Sequence, residues 1–297
     1  MKNIIFFFLL IIIAVTSCGN KDSEITDDIS NSTPMPNISY KIGDILNYDD
    51  LKLVWSDEFN DGIMVNTKDW SYEVGYVRNQ EIQYYTEARP ENCRILNGNL
   101  VITGRREDFP YDYGNGTAEF TSASITTNKK HSWQYGRFEI RAKVPSGKGP
   151  WPAFWAKGIN QNNGVSWPRC GEIDIMEYAS KEPNYMVQNV IYGTGSGAGE
   201  CFSKTKKTFS TKPYYEDFHI YSLDWNNRQI TFAIDNVVTH VVVMNTIDPN
   251  PFNQPFFIII NLALGASTER TMGGKLDPSC LPVDFLVDYV RIYQRSK

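Results

Sequence analysis

The 297-residue sequence predicts an all-β fold, a sandwich of two antiparallel sheets, and three observations carry the prediction. Short runs of β-branched and aromatic residues recur along most of the chain, split by Gly, Asn, Asp and Pro. Within them polar and apolar residues alternate: in Gly136–Ala142, Phe138, Ile140 and Ala142 fall on one face, and Arg137, Glu139 and Arg141 on the other. No segment sustains a helical period. Composition agrees, since 41% hydrophobic and 21% charged residues suit one globular core and exclude disordered, collagenous and repeat-array chains. A net charge of −5 gives no general attraction to nucleic acid, and three histidines argue against a histidine-built metal centre. The 7 Trp, 17 Tyr and 16 Phe point either to a large β core or to a surface that stacks on rings.

From the N-terminus, Lys2 precedes an unbroken apolar run, Ile4 to Val15. The run is too short to span a bilayer comfortably and fits the apolar centre of a signal peptide. Val15-Thr16-Ser17-Cys18 resembles a bacterial lipobox. The reading is a signal peptide over 1–17, a lipid anchor on Cys18 as the membrane partner, and a tether over 18–48. Lys21-Asp22-Ser23-Glu24 is similar to the acidic signals that send some lipoproteins to the outer face of the outer membrane. A cell-surface lipoprotein is expected, otherwise one on the periplasmic face. Residues 49–297 then form one domain, with no internal repeat and no second boundary, expected as a monomer. An exported compartment permits disulfides among Cys93, Cys170, Cys201 and Cys280; Cys170 with Cys201 is the favoured pair, and free buried thiols are the alternative.

Within that domain, strands are expected at 100–103, 122–127, 137–144, 186–192, 218–225, 230–234 and 256–262, with turns at Asn97-Gly98-Asn99 and Asp235-Asn236. One strand stands apart: Gly171-Glu172-Ile173-Asp174-Ile175-Met176-Glu177-Tyr178. Alternation puts Glu172 and Asp174 on one face but sends Glu177 to the other. One extra residue, a β-bulge around Ile175 and Met176, brings Glu177 back into line. Three carboxylates on one face repel each other, and a structural core does not select them. A calcium site prefers mixed oxygen ligands from a loop. Retaining glycoside hydrolysis does need such carboxylates, one ionised to attack the anomeric carbon and one protonated to release the leaving oxygen. A third acid between them tunes the pair.

This segment resembles the catalytic motif of glycoside hydrolase family 16, in the bulged form of laminarinases and their relatives. Other stretches resemble that family in order: Trp55-Ser56-Asp57-Glu58-Phe59, Asn79-Gln80-Glu81-Ile82-Gln83-Tyr84-Tyr85, Tyr135-Gly136-Arg137-Phe138-Glu139, Trp151-Pro152-Ala153-Phe154-Trp155, Asp217-Phe218-His219 and Val287-Asp288-Tyr289-Val290-Arg291. The resemblance runs from about Leu51 to Tyr293. It implies a β-jelly roll with a substrate cleft across a concave sheet, with Glu172 as nucleophile, Asp174 as assisting acid and Glu177 as general acid/base. Aromatic rings stack on the flat faces of sugars, so Trp133, Trp151, Trp155 and Tyr192 are candidate substrate contacts, and Asn79 and Glu81 fall where the family has polar ones. The resemblance also implies one structural calcium, held by Glu58, the backbone of Gly98 and Asp288, and no cofactor for the chemistry.

The chain departs from that pattern in three places. Laminarinases usually carry His where Tyr192 stands, although Val187-Gln188-Asn189-Val190-Ile191-Tyr192 resembles the same strand in lichenases. Relatives often have Arg where Ser124 stands. After Asn261-Leu262-Ala263-Leu264-Gly265 comes Ala266-Ser267-Thr268-Glu269, without the family's Trp. The function implied is an endo-acting retaining glycanase on a mixed β-1,3/1,4- or β-1,3-glucan. One alternative substrate is a galactose-containing chain, agar-type galactan or host O-glycan. A second alternative is a non-catalytic glycan-binding surface protein, against which the three acids argue.

Overall fold

The alternation seen in the sequence closes two sheets on each other. The computed structural model describes residues 38–111, 116–195, 200–266, 269 and 271–296. The expected signal peptide, Cys18 and the first part of the tether lie outside the described residues. In chain order the strands are β1 (Leu51–Asp57), β2 (Ser71–Tyr72), β3 (Tyr84–Tyr85), β4 (Cys93–Leu96), β5 (Asn99–Tyr111), β6 (Gly116–Ser122), β7 (Ser124–Thr126), β8 (Gly136–Lys143) and β9 (Trp151–Gly158). They continue with β10 (Glu172–Glu177), β11 (Tyr185–Gly193), β12 (Cys201–Ser203), β13 (Lys206–Phe209), β14 (His219–Trp225), β15 (Gln229–Ile234), β16 (Val237–Val243), β17 (Phe256–Ala263) and β18 (Val283–Arg295).

A ten-stranded sheet has the order β16-β15-β14-β8-β18-β5-β6-β3, with β1 beside β18 and β4 beside β5. An eight-stranded sheet has the order β12-β11-β10-β9-β17-β7-β2, with β13 beside β11. Pairing is antiparallel except between β3 and β6. The fold is the expected all-β jelly roll. Phe138, Ile140 and Ala142 enter the core from β8 and meet Phe154, Ala156, Ile173, Ile258 and Ile260 from the other sheet. Both expected turns form: Asn97-Gly98 and Asp235-Asn236 have positive φ at both positions and close two-residue hairpins.

Two expectations are corrected. Residues 38–48 do not act as a tether. Leu46 is 2% exposed and packs with Ala233 and Val238, joined by Tyr40. Leu46 N–H donates to the Asn236 carbonyl at 2.8 Å, and Ile45 bridges Val237. Apolar side chains that find a cover on a sheet face outweigh the polar residues of the segment. The second correction concerns the cysteines. Cys93, Cys170, Cys201 and Cys280 are free thiols, and no Cys170–Cys201 bridge forms. Cys170 precedes β10, whose neighbour β11 stands between it and β12, where Cys201 faces Gly193. Two strand spacings, about 10 Å, exceed the roughly 7 Å that a disulfide spans between Cα atoms.

Candidate active site

β10 carries the site because its register slips where the sequence requires it. Against β9, Glu172 pairs with Lys157 and Asp174 with Trp155, while Glu177 pairs with Ala153. Three steps along β10 thus match two along β9, and the same slip appears against β11. Ile175 and Met176 are both fully buried in the core. That double inward turn returns Glu177 to the face of Glu172 and Asp174. These three acids line a cleft of about 280 Å³ together with Asn79, Glu81, Trp151, Trp155, Trp167 and Asn261.

The three carboxyls share one face but not one environment. Burial raises Glu172 above the usual carboxylate range, opposed by the charges of Lys157 and Arg78 and by hydrogen bonds from Trp167 and Asp174. Burial, then the negative charges of Glu172 and Glu177, hold Asp174 well above that range. Asp174 therefore keeps a proton and shares it with Glu172, while Asn189 on β11 also hydrogen-bonds to it. Glu177 is pushed up to about 8, first by burial and then by the Glu172 charge. The Trp151 indole donates to Glu177 Oε1 at 3.2 Å and pulls the other way. Burial thus raises all three acids, and only at Glu172 do two cations, Lys157 and Arg78, oppose the rise.

Residues 80–280 match Glycosyl hydrolases family 16. The chain belongs to this family. It is 39% identical over 260 residues to a β-glucanase of Rhodothermus marinus, an alignment covering 82% of this chain and 85% of that protein. Among solved structures, the laminarinase catalytic domain of Thermotoga maritima superposes with a TM-score of 0.73 at 35% identity, over 84% of this chain and all of that one. A structure described under endo-acting O-glycanases with which prominent members of the human gut microbiota initiate mucin breakdown gives 0.75 at 33% identity, over 84% and 92%.

Of the substrate contacts expected from the sequence of this family 16 protein, the cleft gathers Asn79, Glu81, Trp151 and Trp155. Glu81 is buried and accepts from Asn79 (3.1 Å), Gln83 (2.7 Å) and Tyr85 (3.2 Å). Trp133 and Tyr192 are corrected. Trp133 packs on Trp55, His131 and Phe138 against the main core. Tyr192 belongs to that core too, against Phe252, because its neighbour Ile191 is the residue that stands opposite Glu172. Trp167, another tryptophan that precedes the acidic strand in sequence, also lines the cleft, as do Arg78, Lys157 and Asn261, which were not singled out as contacts from the sequence. Lys157 had a signal, since it continues the 151, 153, 155 alternation of β9. Arg78 had none.

Two of the expected calcium donors are held by arginines. Arg291 holds both oxygens of Glu58, at 3.0 and 2.8 Å, and lowers its pKa. Arg141 holds Asp288 Oδ2 at 2.6 Å. Gly98 sits in the β4–β5 turn with φ +70°. A dication at Glu58 and Asp288 would have to displace two guanidinium groups, so the residues as arranged do not fit the ion.

Proposed function

We propose that the protein is an endo-acting glucanase that hydrolyses internal linkages of a mixed β-1,3/1,4- or β-1,3-glucan with retention. The observation that carries this reading is the bulge in β10, which brings Glu172, Asp174 and Glu177 to one face of a cleft lined by Trp151 and Trp155, with Lys157 and Arg78 acting on Glu172. Glu172 attacks the anomeric carbon while Glu177 gives its proton to the departing glycosidic oxygen. Asp174 keeps its proton throughout, donating a hydrogen bond to the Glu172 carboxylate before attack and to the ester oxygen afterwards. Glu177, now ionised, takes a proton from water, which attacks the glycosyl ester and returns Glu172 to its carboxylate. The β-glucanase and laminarinase relatives support glucan as the substrate.

The test is product analysis on a panel of mixed-linkage glucan, laminarin, xyloglucan, agarose and mucin O-glycan, with the anomer of the first product read by NMR. Short gluco-oligosaccharides appearing first as the β-anomer are the expected result. Release of products only from a galactose-containing chain replaces the glucan, and inverted products remove the mechanism. We further propose that Cys18 carries lipid after removal of residues 1–17 and holds the enzyme on the outer membrane, facing the cell exterior. The lipobox resemblance supports this reading, and radiolabelled palmitate incorporation lost in Cys18→Ala is its test.

A further inference from the structure

Strand alternation puts Trp155 on the cleft face of β9, where a bare indole would make a platform for a sugar ring. The ring is only 7% exposed. The guanidinium of Arg78 lies over it, with Cζ 5.0 Å from the ring centroid, and Lys157 Nζ is 5.7 Å from the same ring. Arg78 comes from the loop between β2 and β3, where Asn79 and Gln80 both take left-handed φ and fold the chain back. It is ion-paired to Glu73. The same Glu73 oxygen accepts from Ser124 Oγ at 2.6 Å, and Ser124 stands on β7 opposite Asn261 of β17. Asn261 in turn accepts the Trp155 indole N–H at 2.8 Å. A connected network therefore fixes the guanidinium plane across the cleft floor.

One end of that guanidinium is unspent. Arg78 Nη1 is buried and has no hydrogen-bond partner among the described residues, while the side chain as a whole is 18% exposed and borders the cleft. A buried donor without an acceptor is costly, and a bound group that accepts from it recovers that cost. We propose that Arg78, rather than the open face of Trp155, reads the sugar bound beside the catalytic acids, its guanidinium donating to a hydroxyl of a neutral sugar. Neutrality follows from the surrounding charge. Glu73 already answers Arg78, and Glu172 lies beside Lys157, so the cleft has no unanswered cation for a sulfated or carboxylated ring. A fixed donor also discriminates hydroxyl orientation, whereas a bare ring tolerates rotation of the sugar above it. The inference deepens the glycanase reading of this cleft and rests on it.

The experiment compares wild type, Arg78→Ala, Arg78→Met and Glu73→Gln on whichever glycan of the panel the wild type cleaves fastest. The methionine variant keeps the apolar stem on Trp155 and serves if the alanine variant does not fold. Loss of a polar contact made to the substrate should raise KM at least about tenfold, a larger factor than the fall in kcat that follows from removing one of the two cations acting on Glu172. Glu73→Gln loosens the guanidinium without deleting its donors and should raise KM less than Arg78→Met. The preference between gluco- and galacto-configured oligosaccharides should narrow in Arg78→Met. A KM for Arg78→Met within about twofold of wild type overturns the inference, as does a Glu73→Gln variant equal to it in KM, which would make Arg78 a strut for the loop. If the wild type cleaves a glycan other than glucan, the glucan assignment falls while the KM comparison still decides the role of Arg78. If it cleaves none, both readings fall.

Discussion

Each sheet buries carboxylates, and the two treat them oppositely. On the ten-stranded sheet, the Arg137 and Glu139 side chains are both 0% exposed. Glu139 Oε2 accepts from Arg137 at 2.7 Å and from Tyr48 at 2.8 Å, and Oε1 accepts from Tyr289 at 2.8 Å. Asp224 nearby receives both ends of Arg295, at 3.0 and 2.6 Å. On the eight-stranded sheet, Glu172, Asp174 and Glu177 have one another as charged neighbours, with Lys157 and Arg78 acting on Glu172 alone. The first arrangement is what a fold tolerates, since every negative charge meets donors. The second works against the fold and is retained because differing proton affinities on one face do chemistry.

The sharpest way to break this contrast is to neutralise one acid on each sheet. Glu172→Gln should reduce hydrolysis by at least about 10³-fold while glycan binding persists. It also removes a like charge, so its melting temperature should rise above that of wild type. Glu139→Gln should do the reverse. It leaves the buried Arg137 unanswered and should cost about 3–5 kcal/mol in denaturant unfolding, with kcat of the folded enzyme within about twofold. A stabilised Glu139→Gln, or a Glu172→Gln that melts early, would show that the two clusters are not opposites.

A second break targets the slip in β10. Deleting Met176 restores plain alternation, in which Glu172, Asp174 and the displaced Glu177 still share a face. The deletion removes a fully buried side chain and should cost about 2–5 kcal/mol. Retaining hydrolysis should survive it, reduced about 10- to 100-fold because the third carboxyl moves along the strand. Deleting Ile175 and Met176 together sends that carboxyl into the core and should abolish turnover. Equal loss in both deletions would mean that strand parity is not what places Glu177.

The bulge was legible because Glu177 breaks alternation within one short segment, and the hairpins because Asn-Gly and Asp-Asn need positive φ. What stayed hidden depends on partners far along the chain. Tyr192 was misassigned because the strand it lies on does not encode its register against β10; only the pairing of Ile191 with Glu172 sets which face it takes. Trp133 lies among other cleft-side tryptophans in sequence, yet its position is decided by Trp55 and Phe138. The competitor for Glu58 is an arginine 233 residues away, which no local reading of a calcium motif contains. Arg78 belongs with these, since its neighbours Glu73, Ser124 and Trp155 come from separate strands and a loop. Residues 38–48 were read as a tether because the polar, Pro-containing stretch before them set the reading, and only the sheet face that covers Leu46 shows where the domain begins.

The smallest effect concerns the pH profile. The proposed mechanism uses an ionised Glu172 and a protonated Glu177, so kcat/KM should be bell-shaped, falling on the alkaline side near 8, where Glu177 loses its proton. The acid limb should lie above the ordinary glutamate value, since burial raises Glu172. Two neighbours act on Glu177 with opposite sign. The Trp151 indole favours its ionised form, and the Glu81 charge disfavours it. Trp151→Phe should therefore move the alkaline limb to higher pH, and Glu81→Gln should move it lower. The linkage to stability has a fixed sign as well. An acid whose folded pKa is raised stabilises the fold fully below its unfolded value, and that contribution is lost as pH climbs toward about 8. Wild type should thus lose stability from this group between about 4.5 and 8, and Glu177→Gln should flatten that part of the curve. Opposite shifts in the two neighbours identify the titrating group as Glu177; parallel shifts would assign the alkaline limb to another residue and take the acid/base role with it.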